Sequence, residues 1–243
     1  ALPGASEAIA EWSASAHARG GVACTDCHRG ARAGAWVARP STEACANCHT
    51  PEREGWLAGK HGMRVARELT PMRPTLARLA MRDEAAEREL GCTSCHAAHR
   101  FDRPAAATEA CLGCHADEHT LAYGASPHAQ LWADELTGRS APGTGVSCAT
   151  CHLPRFVVRR DGVDRVAVQH NQNHNLRPNE KMIRDACLHC HGLAFAIDAL
   201  ADEALVERNF LGRPSRHVES IDMATRREVE HAAAEPATKE ETR

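Results

Sequence analysis

All twelve cysteines of this 243-residue chain sit inside one recurring phrase, C-x-x-C-H. It occurs six times, at Cys24–His28, Cys45–His49, Cys92–His96, Cys111–His115, Cys148–His152 and Cys187–His191, so the pairs are Cys24/Cys27, Cys45/Cys48, Cys92/Cys95, Cys111/Cys114, Cys148/Cys151 and Cys187/Cys190. The chain holds 16 histidines. At that frequency, chance would place one after every pair roughly once in 10^7 trials. The spacing is that of covalent c-type haem attachment. Two thiols form thioethers to the porphyrin and the histidine that follows gives a nitrogen to iron. Six covalently bound haem c groups are expected, with His28, His49, His96, His115, His152 and His191 as proximal ligands.

Other uses of twelve cysteines fit less well. A disulfide framework suits a small secreted scaffold, whereas a chain of this length can build a core without six staples. Three zinc ribbons would use paired C-x-x-C elements, but zinc chemistry asks for no histidine after each pair.

Composition agrees with a core made partly of cofactor. Four Phe, four Trp and one Tyr are few for a chain of this size, and six haems leave only about 40 residues each. The fold expected is mainly α with extensive loops and a haem-packed core. One β-hairpin is expected near 156–168, where Phe156-Val157-Val158 and Val163–Val168 flank Asp161-Gly162. The formal charge of −3 shows no basic excess of the kind nucleic-acid binding uses. Haem propionates would lower it to roughly −9 oxidised and −15 reduced. No stretch approaches the apolar length of a membrane span. The expected location is periplasmic or otherwise extracytoplasmic, where this attachment is made in bacteria, with a signal peptide already removed ahead of Ala1.

A repeat orders the six sites into three pairs. The first site of each pair follows a glycine (Gly21-Val22-Ala23, Gly91, Gly145-Val146-Ser147). The second follows an acidic residue and alanine (Glu43-Ala44, Glu109-Ala110, Asp185-Ala186). Upstream lie an aromatic (Trp12, Trp56, Tyr123) and then a histidine in a small-residue setting, His17, His61 or His128. This predicts one hexahaem domain over 1–222, built from two-haem units at about 1–55, 56–122 and 123–222. A charged tail, 223–243, is expected to be disordered or partner-binding. Residues 63–90, after breaks at Pro71 and Pro74, read as an amphipathic helix leading into Cys92, and a last helix is expected over Leu193–Arg208.

Ten histidines remain for the distal faces of the irons. The repeat nominates His17, His61 and His128, with His128 as the distal element upstream of Cys148–His152. His99 and His119 closely follow proximal histidines, and His170 follows the hairpin. His174 and His217 are reserves for the sixth place, and His189 and His231 are not favoured. Met63, Met72 and Met81 are read as packing rather than as ligands. With protein on both faces of every iron, no catalytic residue is assigned.

The phrases Trp56–Gly62, Asp117–His119 through Ser126–His128, and Gly145–Pro154 with His170 and Cys187–His191 carry a resemblance. They resemble the multihaem cytochrome c superfamily that contains hydroxylamine oxidoreductase, octahaem tetrathionate reductase and cytochrome c nitrite reductase. That resemblance implies closely packed haems. The nitrite reductases' C-x-x-C-K site is missing from this sequence, and the sole tyrosine, Tyr123, sits in a distal-ligand phrase rather than in the oxidoreductases' cross-linking role. The expectation is an electron-transfer relative that relays electrons between donor and acceptor proteins, within a membrane-bound complex or by stacking on itself. The rival is a reductase or oxidase of a small nitrogen or sulfur compound at one open haem, steered by Arg64, Arg67, Arg100 or Arg177.

Overall fold

The computed structural model describes residues 4–30, 32 and 34–234, apart from the side chains of Arg160 and residues 231–234. It is mainly helical, with short helices joined by long loops and one two-stranded sheet. The longer helices are Ala5–Ala14, Thr50–Ala58, Pro127–Leu136, Leu193–Ala201 and Ser220–Ala234.

Local sequence explains where they start. Pro51 stands at the beginning of the helix Thr50–Ala58, and Pro127 at the beginning of the helix Pro127–Leu136, where a missing N–H costs nothing. Ser126 caps the latter helix, its Oγ accepting from the Ala129 N–H at 3.1 Å. Ser15 does the same for Ala16–Arg19, accepting from Ala18 at 3.3 Å. His17 and His128 therefore each follow a serine cap by two residues. The strands β1, Arg155–Arg160, and β2, Val163–Val168, pair antiparallel from Arg155↔Val168 to Arg160↔Val163. Asp161 and Gly162 turn between them with φ of 53° and 77°, as a tight hairpin turn requires.

Two helical expectations are corrected. Residues 63–90 form no α-helix, only the 3-10 turns Val65–Arg67, Pro74–Leu76 and Asp83–Ala85. Their backbone groups are claimed from elsewhere. Leu90 donates to Met72 O, Arg82 to Cys114 O, and Ala116 back to Ala80 O. Tertiary pairing with the Cys111–His115 site thus replaces the i→i+4 ladder. The last helix is interrupted. Leu193–Ala201 ends at Asp202, whose side chain accepts from Leu205 N–H and from Ser215, and a second helix runs Glu203–Glu207.

The helix Ser220–Ala234 begins ahead of the tail boundary placed at 223. Residues 235–243 of that expected tail lie outside the described residues.

The apolar core is sparse. Trp56, Tyr123, Trp132, Met182 and Leu205 are buried. Among the described residues, only Leu205 and Asn175 are large side chains sealed from solvent completely.

Candidate haem sites

Each C-x-x-C-H phrase folds as one helical turn. His49 N donates to Cys45 O at 2.9 Å, His96 N to Cys92 O at 3.0 Å, His115 N to Cys111 O and His191 N to Cys187 O at 2.9 Å. Cys24–His28 and Cys148–His152 are full α-turns. Residues i and i+4 share a helix face, so the first cysteine and the histidine project together. The Cys148 turn is held by a reciprocal cap, Thr150 N to Ser147 Oγ and Ser147 N to Thr150 Oγ1. None of the twelve thiols is in a disulfide. No three His, Cys, Asp or Glu side chains converge into a metal-binding cluster among the described residues.

The thiols are not equally enclosed. Cys114 is buried, whereas Cys24, Cys48 and Cys190 are exposed. At these three positions the polypeptide itself leaves the thiols uncovered. Cys48 lies in the exposed run Asn47–Thr50 and Cys190 in the exposed run Leu188–Phe195. Polar neighbours such as Asn47, Thr50 and His189 hold these faces of the turns toward water. Exposure is compatible with the role expected of Cys48 and Cys190, since a thioether joins the edge of a porphyrin rather than its face.

The proximal histidines each face one other histidine. The pairs are His17 with His49 and His28 with His99, both at 6.0 Å between ring centroids, and His119 with His152 at 6.1 Å. His96 faces His170 at 6.2 Å, while His61 faces His115 and His128 faces His191 at 6.3 Å. An imidazole nitrogen lies about 2 Å from a bound metal, and the ring centre about 1 Å further out. Two imidazoles on opposite sides of one metal therefore have centroids about 6.2 Å apart. The six separations fit that arrangement, and C-x-x-C supplies thiols beside each pair. The residues present fit haem c.

The partners follow a rule. His17, His61 and His128 each face the second site of their own unit. The first sites are served from other units: His99 crosses to His28, His170 to His96 and His119 to His152. His128 thus faces His191, not His152 as expected from its position upstream of Cys148. The Tyr123 hydroxyl donates to Val146 O at 2.9 Å, pinning the start of this element to the Cys148 lead-in. His128, further along, reaches past that site. Trp12 bonds Val22 O at 3.1 Å in the equivalent place of the first unit.

Several rings are oriented through Nδ1, which donates to a backbone carbonyl: His28 to Val37 O at 2.6 Å, His170 to Val168 O at 2.9 Å, and His119 to Val206 O. That bond turns Nε2 toward the facing histidine. Asn209 also braces the His119 backbone, its amide donating to the His119 carbonyl at 3.0 Å; the same amide lies 3.1 Å from Nε2, a contact that a metal on Nε2 would displace. Burial, reinforced by the facing or neighbouring histidines, lowers His61 and His152 to about 4. Burial also lowers His96, His115 and His128. These rings stay neutral at neutral pH, as ligands must.

The other candidates are placed elsewhere. His217 lies between Asp198 (3.0 Å) and Asp222 (2.8 Å), and His174 lies 3.9 Å from Asp185. The side chain of His231 is outside the described residues. Arg64 bonds Thr70, and Arg100 pairs with Glu11 and Asp102. Arg67 and Arg177 are exposed. The sequence reading missed the Nδ1 acceptors, because a backbone carbonyl leaves no mark in residue identity.

Residues 44–109 match the family model described as cytochrome c554 and c-prime. The matched stretch contains the Cys45 and Cys92 motifs with His61 and His99. It supports a multihaem c-type cytochrome family, covalently bound haem, and a role in electron transfer. Such cytochromes are typically extracytoplasmic. No helix among the described residues is long and apolar enough to cross a membrane. A search of the curated proteins gives no match.

Proposed function

We propose that the chain is an extracytoplasmic hexahaem electron carrier in which twelve histidines form six axial pairs. The observation that carries this reading is the set of six histidine–histidine separations of 6.0–6.3 Å, each including one C-x-x-C-H histidine. Haem, when bound, supplies a one-electron ferric/ferrous couple. The protein supplies the rest. The cysteines would fix each porphyrin edge, the carbonyl-anchored rings would hold a nitrogen toward the metal, and a second imidazole facing each would leave no position for substrate. Burial of the rings favours their neutral, ligating form. The partners are donor and acceptor redox proteins, in a membrane-bound complex or in a self-stacked assembly. Within the multihaem superfamily the chain stands as an electron-transfer relative of the hydroxylamine oxidoreductase group.

One observation bears on the catalytic rival. A cleft of about 460 Å³ is lined by Arg155, His174 and Arg184 but also by Asp185, so its charge is mixed rather than suited to an anion.

A pyridine haemochrome count of six per chain and a low-temperature EPR spectrum with only low-spin ferric signals are the expected results. A high-spin component that shifts on adding nitrite or sulfite would replace this reading with the rival.

A further inference from the structure

The six sites touch in sequence order. The turn Cys24–His28 packs against Thr42–Ala46 of the second site. Between the second and third sites, Thr42 Cγ2 lies 3.2 Å from where a side chain on Gly91 would begin, and the Cys45 and Cys92 thiols are neighbours. Arg88, in the lead-in to the third site, reaches Cys114 Sγ of the fourth at 3.8 Å. The fourth and fifth sites meet through the thiols of Cys111 and Cys148, and Ala105–Glu109 packs on the Cys148 turn. Phe210 joins the fifth to the sixth, 6.2 Å from His119 and 5.8 Å from His128. Every one of these contacts joins consecutive sites. The junctions of second with third and of fourth with fifth fall across the boundaries of the two-haem repeat.

Such a line has two ends, and each carries an exposed aromatic on its proximal histidine. Phe195 stacks on His191 at 4.8 Å and is 40% exposed. Trp36 lies flat on His28 at 4.3 Å with 4° between planes, and is 49% exposed. The two surroundings differ in charge. Asp185, Asp198 and Arg184 near the sixth site mix both signs. The loop from 29 to 41 carries Arg29, Arg32 and Arg39, all exposed, and no acidic residue. Among the described residues none of the three is ion-paired. Arg29 stands directly opposite Trp36 in an antiparallel bridge. The loop is tight there, since a side chain on Gly30 would come within 2.9 Å of Ala35 Cβ. The chain as a whole is acidic at −3, so this basic patch runs against the molecular field.

We propose that the 29–41 loop, with Trp36 at its centre, is the electron-exchange port for an acidic redox protein. This rests on the hexahaem reading above. A local positive potential around an exposed aromatic would seat a negative partner directly over the end of the line and repel it elsewhere.

The test uses the holoprotein with small stand-ins for the partner. Hexacyanoferrate(III) takes one electron from a ferrous site and becomes hexacyanoferrate(II), with no bond made or broken. Hexaammineruthenium(III) does the same as a cation. Replacing all three arginines (R29E, R32E and R39E) should slow exchange with the hexacyanide about tenfold and leave the ruthenium reaction undiminished. A second readout is independent of turnover. In the reduced protein, paramagnetic hexacyanochromate should broaden the Trp36 indole N–H in preference to those of Trp12, Trp56 and Trp132, and the charge reversal should abolish this. Equal broadening of all four indoles, or hexacyanide exchange indifferent to the reversal, would overturn the port. Failure to find six low-spin haems in the same sample would overturn the hexahaem reading instead.

Discussion

A single histidine decides what each site can do, because the facing ring is all that separates a closed iron from an open one. His99→Ala should leave the haem count unchanged and convert one of six low-spin signals to high-spin, read by EPR at low temperature. The same change at His174, which faces no histidine, should leave the spectrum unaltered. His217 has a different task. Asp198 first, and Asp222 with it, raise its pKa to about 9. A raised folded pKa gives stabilisation that is complete below the ordinary 6.5 and is lost as pH rises through about 9. Asp198 and Asp222 clamp the start of the helix Ser220–Ala234 through this ring. Amide exchange in residues 218–225 should therefore quicken between pH 7 and 9 more than alkaline chemistry alone explains, and His217→Ala should remove the excess. At this scale the sequence was informative wherever chemistry fixes spacing. C-x-x-C-H names six candidate ligands, and the small-residue phrases around His17, His61 and His128 name three positions that the structure brings opposite second sites. Which ring faces which was not legible, since three of the six pairings depend on chain returns from another unit. Nor was the exposure of Cys48 and Cys190, which depends on how each turn is packed and not on its spacing.

The elements are short because each must end where a site begins, and their stability depends on caps and close approaches. Ser126→Ala removes the Oγ that accepts from Ala129 N–H and should cost about 1 kcal/mol, measured as a lower melting temperature of the holoprotein. It should also perturb the signal of the His128–His191 site more than the others. Gly62 is a stricter case. A side chain there would run directly into Trp56 O, a backbone atom that cannot swing away. Gly62→Ala should cost about 1–3 kcal/mol and lower the yield of haem-loaded protein. The hairpin was legible from Asp161-Gly162 because only a few residue types accept two positive φ values in succession. The helix expected within 63–90 was not. Its apolar spacing suits a helix, but Pro71, Pro74 and the pairing of Arg82 and Leu90 with distant carbonyls favour an extended path against the Cys111 site. Asp202 ends the Leu193 helix for a similar reason, its carboxylate being drawn to Ser215.

For the whole molecule, so few buried side chains mean that protein contacts alone stabilise little. On the hexahaem reading, the apolar faces that complete the core belong to the cofactor, and its attachment contributes to folding directly. A chain produced without haem, with the cysteines replaced by serine, should show no near-ultraviolet circular dichroism and no cooperative melt. A folded haem-free chain would contradict this. The crossing histidines carry a further consequence, for biogenesis. His99, His170 and His119 each close a site in a unit other than their own, so no unit can be finished alone. A chain cut after residue 55 would keep both cysteines of its first site yet leave that iron with one protein ligand, open to oxygen. On this reading, export would have to pass residue 99 before the first iron could close, and residue 170 before the third. Duplication of a two-haem module would have produced separable parts. On this reading the exchange of ligands makes the copies interdependent: loss of the second unit would open sites in both others, and loss of the third would open the first site of the second.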